Sequence, residues 1–419
     1  MSFNRRDFLK VSAASAVSAA VSCIPKYPDL NPSIQKLKPM TDGIIPILKE
    51  DRLARIEEAR QLMRKNQIAA MYIEAGTSLF YFTGVKWWQS ERMFAVVIPQ
   101  KGEIAYVCPK FEEDRAYEQI QIGDDIRTWE EDESPYKRVV QILNDRGIRT
   151  GHIGIEEQTR FFLFDGIRKE APQLTYVSAD PVAMECRLIK SPKEISLMQR
   201  ASDITIEAYK ATLKTLRAGM TKEEFSANSK AAHRALGVEG GIWANFGEST
   251  AFPHGSIKKR KLREGDIVLM DGGCSVDGYK SDISRTIVFG EPTQRQQEMW
   301  DLAQRAKAAS FAKAGVGVPC EDVDAAARQV YINVGFGPDY KVPGCPHRTG
   351  HGIGLDGHEC IHLVRGNKRP MEVGMCFSNE PMIVLPEEFG IRLEDCFYIT
   401  EEGSKYFTGP SPAIDQPFA

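Results

Sequence analysis

Beyond residue 50 the hydrophobic positions follow two alternating periods. Residues 52–66 repeat apolar side chains at helical spacing, with Leu53, Ile56 and Met63 on one predicted face, and the apolar run IAAMYIE that follows has the length and composition of a strand. MFAVVIP and EIAYVCP, joined through QKG, predict a hairpin; a helix over 135–146 and a strand HIGIEE complete an α/β domain assigned to residues 51–185. The pattern then restarts. Ser191 is placed to cap a helix with Pro192 in its first turn, a long amphipathic stretch runs to Gly219, and Thr221-Lys-Glu-Glu224 opens a second helix as a capping box. After Glu239 the chain turns to β-rich segments punctuated by glycine, so residues 186–419 are expected to form a separate α+β domain.

Upstream of these periods lies a different kind of segment. Arg5-Arg6-Asp7-Phe8-Leu9-Lys10 precedes an uncharged small-residue run, Val11 to Val21, too short to span a bilayer. The layout resembles a twin-arginine export signal, and Cys23 after Ala20-Val21-Ser22 resembles a lipoprotein processing site, which would attach the protein to a membrane. Residues 1–23 are therefore assigned to a signal and 24–50, with five prolines between 24 and 49 and little periodicity, to a linker. An exported, periplasmic or lipid-anchored location is expected.

Composition narrows the function. A chain of 419 residues with 42% hydrophobic content buries a large core, and its net charge of −3 becomes more acidic once the signal's cations are removed, so nucleic acid is not an expected partner. The cysteines from Cys108 to Cys396 are spread singly with no CxxC pair, which points to small buried hydrophobes and not to a zinc site or disulfide framework.

The chemistry concentrates in HRTGHGIGLDGHE, residues 347–359, which holds three of the chain's seven histidines. Two other stretches echo each other: EGDIVLMDGG places Asp271 six residues after Gly265, and VGMCFSNEP places Glu380 six residues after Gly374. Each is followed at hairpin distance by a second acid, Asp282 in YKSDISRTIVFG and Glu394 in FGIRLEDCFYIT. Duplicated half-barrels packed about a pseudo-two-fold axis would bring the four carboxylates together. Anions so clustered demand cations, and His351 offers a neutral nitrogen donor. Carboxylates with one imidazole suit Mn²⁺, Co²⁺ or Zn²⁺, and two such ions neutralise four carboxylates, which predicts a dinuclear hydrolytic centre.

Taken in order, DGG, SDISRT, GHGIG, NEP and RLED make residues 190–405 resemble the pita-bread metallopeptidases, the group of prolidase, proline aminopeptidase and methionine aminopeptidase. Residues 51–185 resemble the N-terminal domain of the creatinase and prolidase branch. The resemblance implies an α/β N-terminal domain followed by an α+β pita-bread catalytic domain with pseudo-two-fold symmetry. It implies metal ligands at Asp271, Asp282, His351, Glu380 and Glu394, one ion taking Asp271, Asp282 and Glu394, the other His351 and Glu380, with Asp282 and Glu394 bridging. His254, His347 and His358 would face the substrate, Arg392 would hold Asp271, and Glu380 would carry a proton to the leaving nitrogen. His254 and His358 would also hydrogen-bond the tetrahedral intermediate. The implied activity is cleavage of Xaa-Pro bonds at a free N-terminus, from peptides or from dipeptides, by a homodimer.

Two other readings use the same fold: a creatinase-like hydrolase without metal, and a non-catalytic binding module. The five intact ligands weigh against both. His152 and His233 read as structural or solvated, and His362, where a Pro-Tyr type sequence often follows HE in the family, reads as a rim residue. Trp87 and Trp88 read either as a substrate wall reaching a neighbouring subunit or as a buried aromatic pair.

Overall fold

The computed structural model describes residues 31–418; the twin-arginine segment and Cys23 lie outside them. The first domain runs α1 (Lys49–Lys65), β1 (Ile68–Glu74), α2 (Thr77–Thr83), β2 (Ala95–Pro99), β3 (Ala105–Pro109), α3 (Glu113–Gln119), β4 (Asp125–Trp129), α4 (Pro135–Asp145), β5 (His152–Ile155), α5 (Phe161–Glu170), β6 (Thr175–Ser178) and α6 (Asp180–Leu188). Its six strands form one mixed sheet in the order β4-β3-β2-β1-β5-β6. β1 sits at the centre with six of its seven residues buried, which is why its sequence is a continuous apolar run and not an alternation.

Helix α1 corrects the expected face. Leu53 is 44% exposed, and the buried side presents Arg52, Arg55, Ile56, Ala59 and Met63. Arg55 is buried because it serves a seam between domains, its Nη2 donating to Glu194 at 2.9 Å and to the Tyr279 hydroxyl at 2.8 Å, while Arg52 donates to the Phe80 carbonyl of α2 within the first domain. The linker assignment is corrected too, from residue 31 onward. Ile34 and Ile47 are buried, Leu37, Met40 and Ile44 pack on the same core, and Ser33 Oγ and the Ile47 amide bond Ala211 O and Asp277, each at 2.8 Å. The segment straps the second domain, and its scattered apolar residues fill separate gaps, so they show no period. Trp87 and Trp88 also part company: Trp87 stacks on Phe94 with centroids 3.9 Å apart, and Trp88 is 85% exposed.

The second domain repeats a helix pair followed by a sheet. Helices α7 (Pro192–Leu213) and α8 (Lys222–Ala235), each opened by its expected capping box, lead to β7 (Gly240–Phe246), β8 (Ile267–Val276), β9 (Tyr279–Lys280) and β10 (Ile283–Val288). Helices α9 (Gln294–Lys313) and α10 (Cys320–Ile332) then lead to β11 (Gly350–Gly352), β12 (Glu359–Leu363), β13 (Cys376–Asn379), β14 (Ile383–Leu385), β15 (Phe389–Ile391), β16 (Asp395–Thr400) and β17 (Gly403–Tyr406). The two main sheets are ordered β10-β8-β7 and β12-β11-β13-β16-β17. Ser284 pairs with Asp271 inside the first sheet and forms a bridge to Glu394 beside the second. That seam positions the site. One apolar core joins both domains, with Ile56 and Phe82 from the first against Leu197, Ile204 and Val268 from the second. The eight cysteines among the described residues are free thiols, all buried except the half-buried Cys360.

Candidate metal centre and active site

The five expected ligands arrive from five places. Asp271 lies in β8, Asp282 between β9 and β10, His351 at the middle of β11, Glu380 just after β13, and Glu394 between β15 and β16. Their donor atoms converge in two sets, Asp271–Asp282–Glu394 and His351–Glu380–Glu394, in each of which all atoms lie within 4.8 Å of one another. Gly350 and Gly352 flank the histidine because β11 is squeezed: a Cβ on Gly350 would stand 2.0 Å from Ser378 O, and one on Gly352 2.4 Å from Cys360 O.

His351 Nδ1 is 3.0 Å from Gly352 O. With Nδ1 donating there, Nε2 faces Glu380 at 3.2 Å and Asp282 at 4.0 Å; burial opposes a charge on the ring, but these acids raise its pKa, and Nε2 is the atom that a cation would take in place of a proton. Arg392 bonds Asp271 through Nη2, donates from Nε to Ser284 Oγ at 2.9 Å, and lies 5.6 Å over the Trp243 ring. Ser284 Oγ stands 2.6 Å from Glu394 and 2.9 Å from Asp271, so its single proton serves one acid at a time.

The electrostatics test whether cations belong here. Burial and the neighbouring Asp271 push Asp282 up to about 7. Burial, with Asp282, Glu380 and Asp271, holds Glu394 well above the carboxylate range, and its Oε1 is buried without a hydrogen-bond partner. Burial also opposes ionisation of Glu380, but His351, His347 and Arg392 keep it below that range. One guanidinium cannot neutralise four acids. An orphaned carboxylate oxygen within reach of an imidazole lone pair and two further acids fits a divalent ion.

These groups line a cavity of about 590 Å³, together with Trp243, Phe252, Pro253 and Arg348. Two larger cavities, of about 790 and 760 Å³, hold none of the five ligands. His254, on the loop after β7, and His358, ahead of β12, are exposed to the catalytic cavity. The His358 ring lies 3.8 Å from that of His351, and burial and His351 hold it neutral, its pKa down to about 4. Arg348 Nη2 donates to His358 Nδ1 at 3.2 Å, which leaves Nε2 carrying the proton. A His358 nitrogen also lies within 4.8 Å of Asp282 and His351 donors. His347 Nδ1 is 2.7 Å from Arg348 O and its Nε2 is buried without a partner.

The remaining histidines stand apart. His233 is fully buried against Ser229 O, His152 contacts Gln67 O at a strand start, and His362 pairs across β12 with His351 without lining the cavity.

Sequence reasoning missed the groups that hold the histidine loop. Asp324 of α10 accepts from Thr349 Oγ1 at 2.7 Å and from Arg328 Nε at 2.9 Å, and Arg328 caps the carbonyls of Cys345 at 3.1 Å and His347 at 2.6 Å. The only signal was an Asp and an Arg four residues apart on a helix, which ordinarily reads as a surface pair.

Comparison with known proteins agrees with this geometry. Residues 196–401 match the model of metallopeptidase family M24, and residues 55–189 match the creatinase/prolidase N-terminal domain. The chain is 33% identical over 385 residues to an uncharacterized peptidase of Schizosaccharomyces pombe, spanning 87% of this chain and 83% of the relative. Among solved structures, dipeptidase PepE from Mycobacterium ulcerans is 29% identical with a TM-score of 0.80, covering 87% of this chain and 97% of its own. A prolidase from Thermococcus sibiricus is 26% identical with a TM-score of 0.79, covering 86% and 97%. With a creatinase-type domain leading into a pita-bread catalytic domain, the chain belongs to metallopeptidase family M24, in its prolidase branch.

Proposed function

We propose that this peptidase holds two divalent ions, of the manganese, cobalt or zinc type, and hydrolyses Xaa-Pro bonds at a free N-terminus. The observation that carries the reading is the convergence of five donors in two sets that share Glu394, whose Oε1 is buried without a hydrogen-bond partner, with Arg392 alone against four acids. Asp271, Asp282 and Glu394 would hold one ion and His351 and Glu380 the other, Asp282 and Glu394 bridging. When bound, the ions supply Lewis-acid polarisation of the scissile carbonyl and a water nucleophile at neutral pH.

The chain's own groups do the rest. Glu380, ionised beside His351, accepts the proton released by the attacking water and passes it to the leaving nitrogen. His358, whose Nε2–H is fixed by Arg348 at Nδ1, donates to the oxygen that gains charge in the tetrahedral intermediate, and His254 faces it from the opposite loop. Arg392 holds Asp271 in register, and His347 offers an unpartnered Nε2 to the substrate. Phe252, Pro253 and Trp243 give the cavity apolar surface suited to a prolyl ring, and the prolidase among the similar structures supports that choice.

The test is metal content by elemental analysis, alongside turnover of Ala-Pro, Ala-Pro-Ala and Ala-Ala by stripped protein reloaded with each ion. Turnover of Xaa-Pro substrates without bound metal would select the creatinase-like reading, and absence of both metal and turnover the binding module. Export through the twin-arginine segment, lipid attachment at Cys23 and assembly as a homodimer belong to the same proposal. Retention of an Arg5→Lys/Arg6→Lys precursor in the cytoplasm, release of Cys23→Ala from membranes, and the mass in solution check them in turn.

A further inference from the structure

Beside the catalytic cavity lies a second one, of about 790 Å³, whose wall is built from the run KKRKLR directly after the His254 loop. Lys258, Lys259, Lys261 and Arg263 line it, are exposed, and have no carboxylate at ion-pair distance among the described residues; Glu223 and Glu224, in the first turn of α8, act on Lys259 and Lys261 from further off. Arg260, in the same run, is instead paired with Asp266. Among the residues that line the cavity, five cations face two acids, Glu248 and Glu264, a local excess of positive charge in a chain whose net charge is −3. Phe252 lines this cavity and the catalytic one alike, so the two share a wall. Unpaired cations of one sign focus the local field and raise the local concentration of anions.

We propose that the basic cavity receives the C-terminal extension of a peptide substrate bearing carboxylate side chains downstream of the cleaved bond. The inference rests on the N-terminal exopeptidase reading above. A substrate cleaved at its free N-terminus can extend out of the catalytic cavity on its C-terminal side only, and the neighbouring cavity across Phe252 offers that extension four exposed cations. Solvent-exposed charges of this kind select by sign and act mainly on encounter, so the preference belongs in KM and falls with salt.

The experiment compares Ala-Pro-Asp-Asp-Asp with Ala-Pro-Asn-Asn-Asn on the full metal-loaded chain, by calorimetric binding and by steady-state kinetics, at low and high salt. At low salt the acidic peptide is expected to bind about 10-fold tighter, the scale of a few exposed ion pairs. The ratio should approach one in about 0.5 M salt, where the Debye length falls to a few ångströms. In Lys258→Glu/Lys259→Glu/Lys261→Glu, whose side chains are exposed and off the core, the ratio should invert. Equal affinity for the two peptides overturns the proposal, as does a preference that ignores both salt and the substitutions. Sedimentation with phosphatidylglycerol vesicles, but not phosphatidylcholine vesicles, through the same lysines and without peptide preference would also overturn it, assigning the patch to a lipid surface. Salt-sensitive binding of the acidic peptide without hydrolysis of either would sink the exopeptidase reading and leave the subsite standing.

Discussion

Glu359→Gln removes one charge from a mostly buried cluster and should cost stability in a pH-dependent way. The Glu359 carboxylate accepts from Arg187 Nη2 at 2.7 Å, from Lys190 Nζ at 2.8 Å and from the Leu355 amide at 3.0 Å, with 7% of the residue exposed. Burial alone would raise its pKa, but Lys190 and Arg187 pull it from the ordinary 4.5 down to about 2. A carboxylate depressed on folding contributes stability that is full above its unfolded pKa and is lost as pH falls through the folded one. The gap between 4.5 and about 2 corresponds to about 3 kcal/mol. Arg187 keeps Asp356 at 2.6 Å, so Lys190 is the cation left without its carboxylate, and the loss falls at the low end of the about 3–5 kcal/mol for breaking a buried pair. Urea unfolding of both proteins, followed by tryptophan fluorescence, should show a difference of about 3 kcal/mol at pH 7 that closes between about pH 4.5 and pH 2. A difference below about 1 kcal/mol at pH 7, or one independent of pH, would refute the argument. Because Arg187 ends the first domain and Glu359 follows His358, the variant also loosens the junction behind the active site.

The remaining predictions concern the site. His351→Ala should lose metal, whereas His254→Ala and His358→Ala should keep it and lose about 10²- to 10⁴-fold in turnover; metal stoichiometry with steady-state kinetics decides, and loss of metal in His358→Ala would reassign that residue as a ligand. Asp282→Asn should lose metal and activity together, and a variant retaining two ions with full turnover rejects its bridging role. Asp324→Asn should cost about 1–3 kcal/mol and lower kcat, because one of the two oxygens that accept from Thr349 and Arg328 becomes an NH2 donor and the charge facing Arg328 is lost; unchanged melting and kinetics would show the clamp on the histidine loop to be idle. Chelation should lower the melting temperature, since ligands that bind only the folded state stabilise it by about 2.7 kcal/mol at a hundredfold excess over Kd, and an unchanged melt would contradict a loaded centre.

How much of this was legible in the sequence depended on how local the cause was. The strand IAAMYIE and the capping boxes at Ser191 and Thr221 could be read because period and cap chemistry lie within a few residues. The spaced acids at Asp271 and Glu380 could be read because duplication wrote the same interval twice. Leu53 was misplaced because helical period says nothing of a neighbouring domain that supplies Glu194 and Tyr279 for Arg55. Ile34 and Ile47 were missed because single apolar residues among prolines have no period, yet each fills a gap. Ser284, Arg348 and Asp324 act on residues brought near only by tertiary folding: Ser284 is 110 positions from Glu394 in the chain.

The bridge between Ser284 and Glu394 has a mechanical consequence. Each half of the catalytic domain is a sheet backed by its own pair of helices, and the proposed ligands are divided between the halves, Asp271 and Asp282 on one, His351, Glu380 and Glu394 on the other. Because Glu394 of one half shares a donor set with Asp271 and Asp282 of the other, the size of the centre depends on how the two halves pack. A substitution under α7 or α9, far from any proposed ligand, is expected to shift the donors of one half relative to those of the other. Tuning of this centre can therefore come from the back of either sheet.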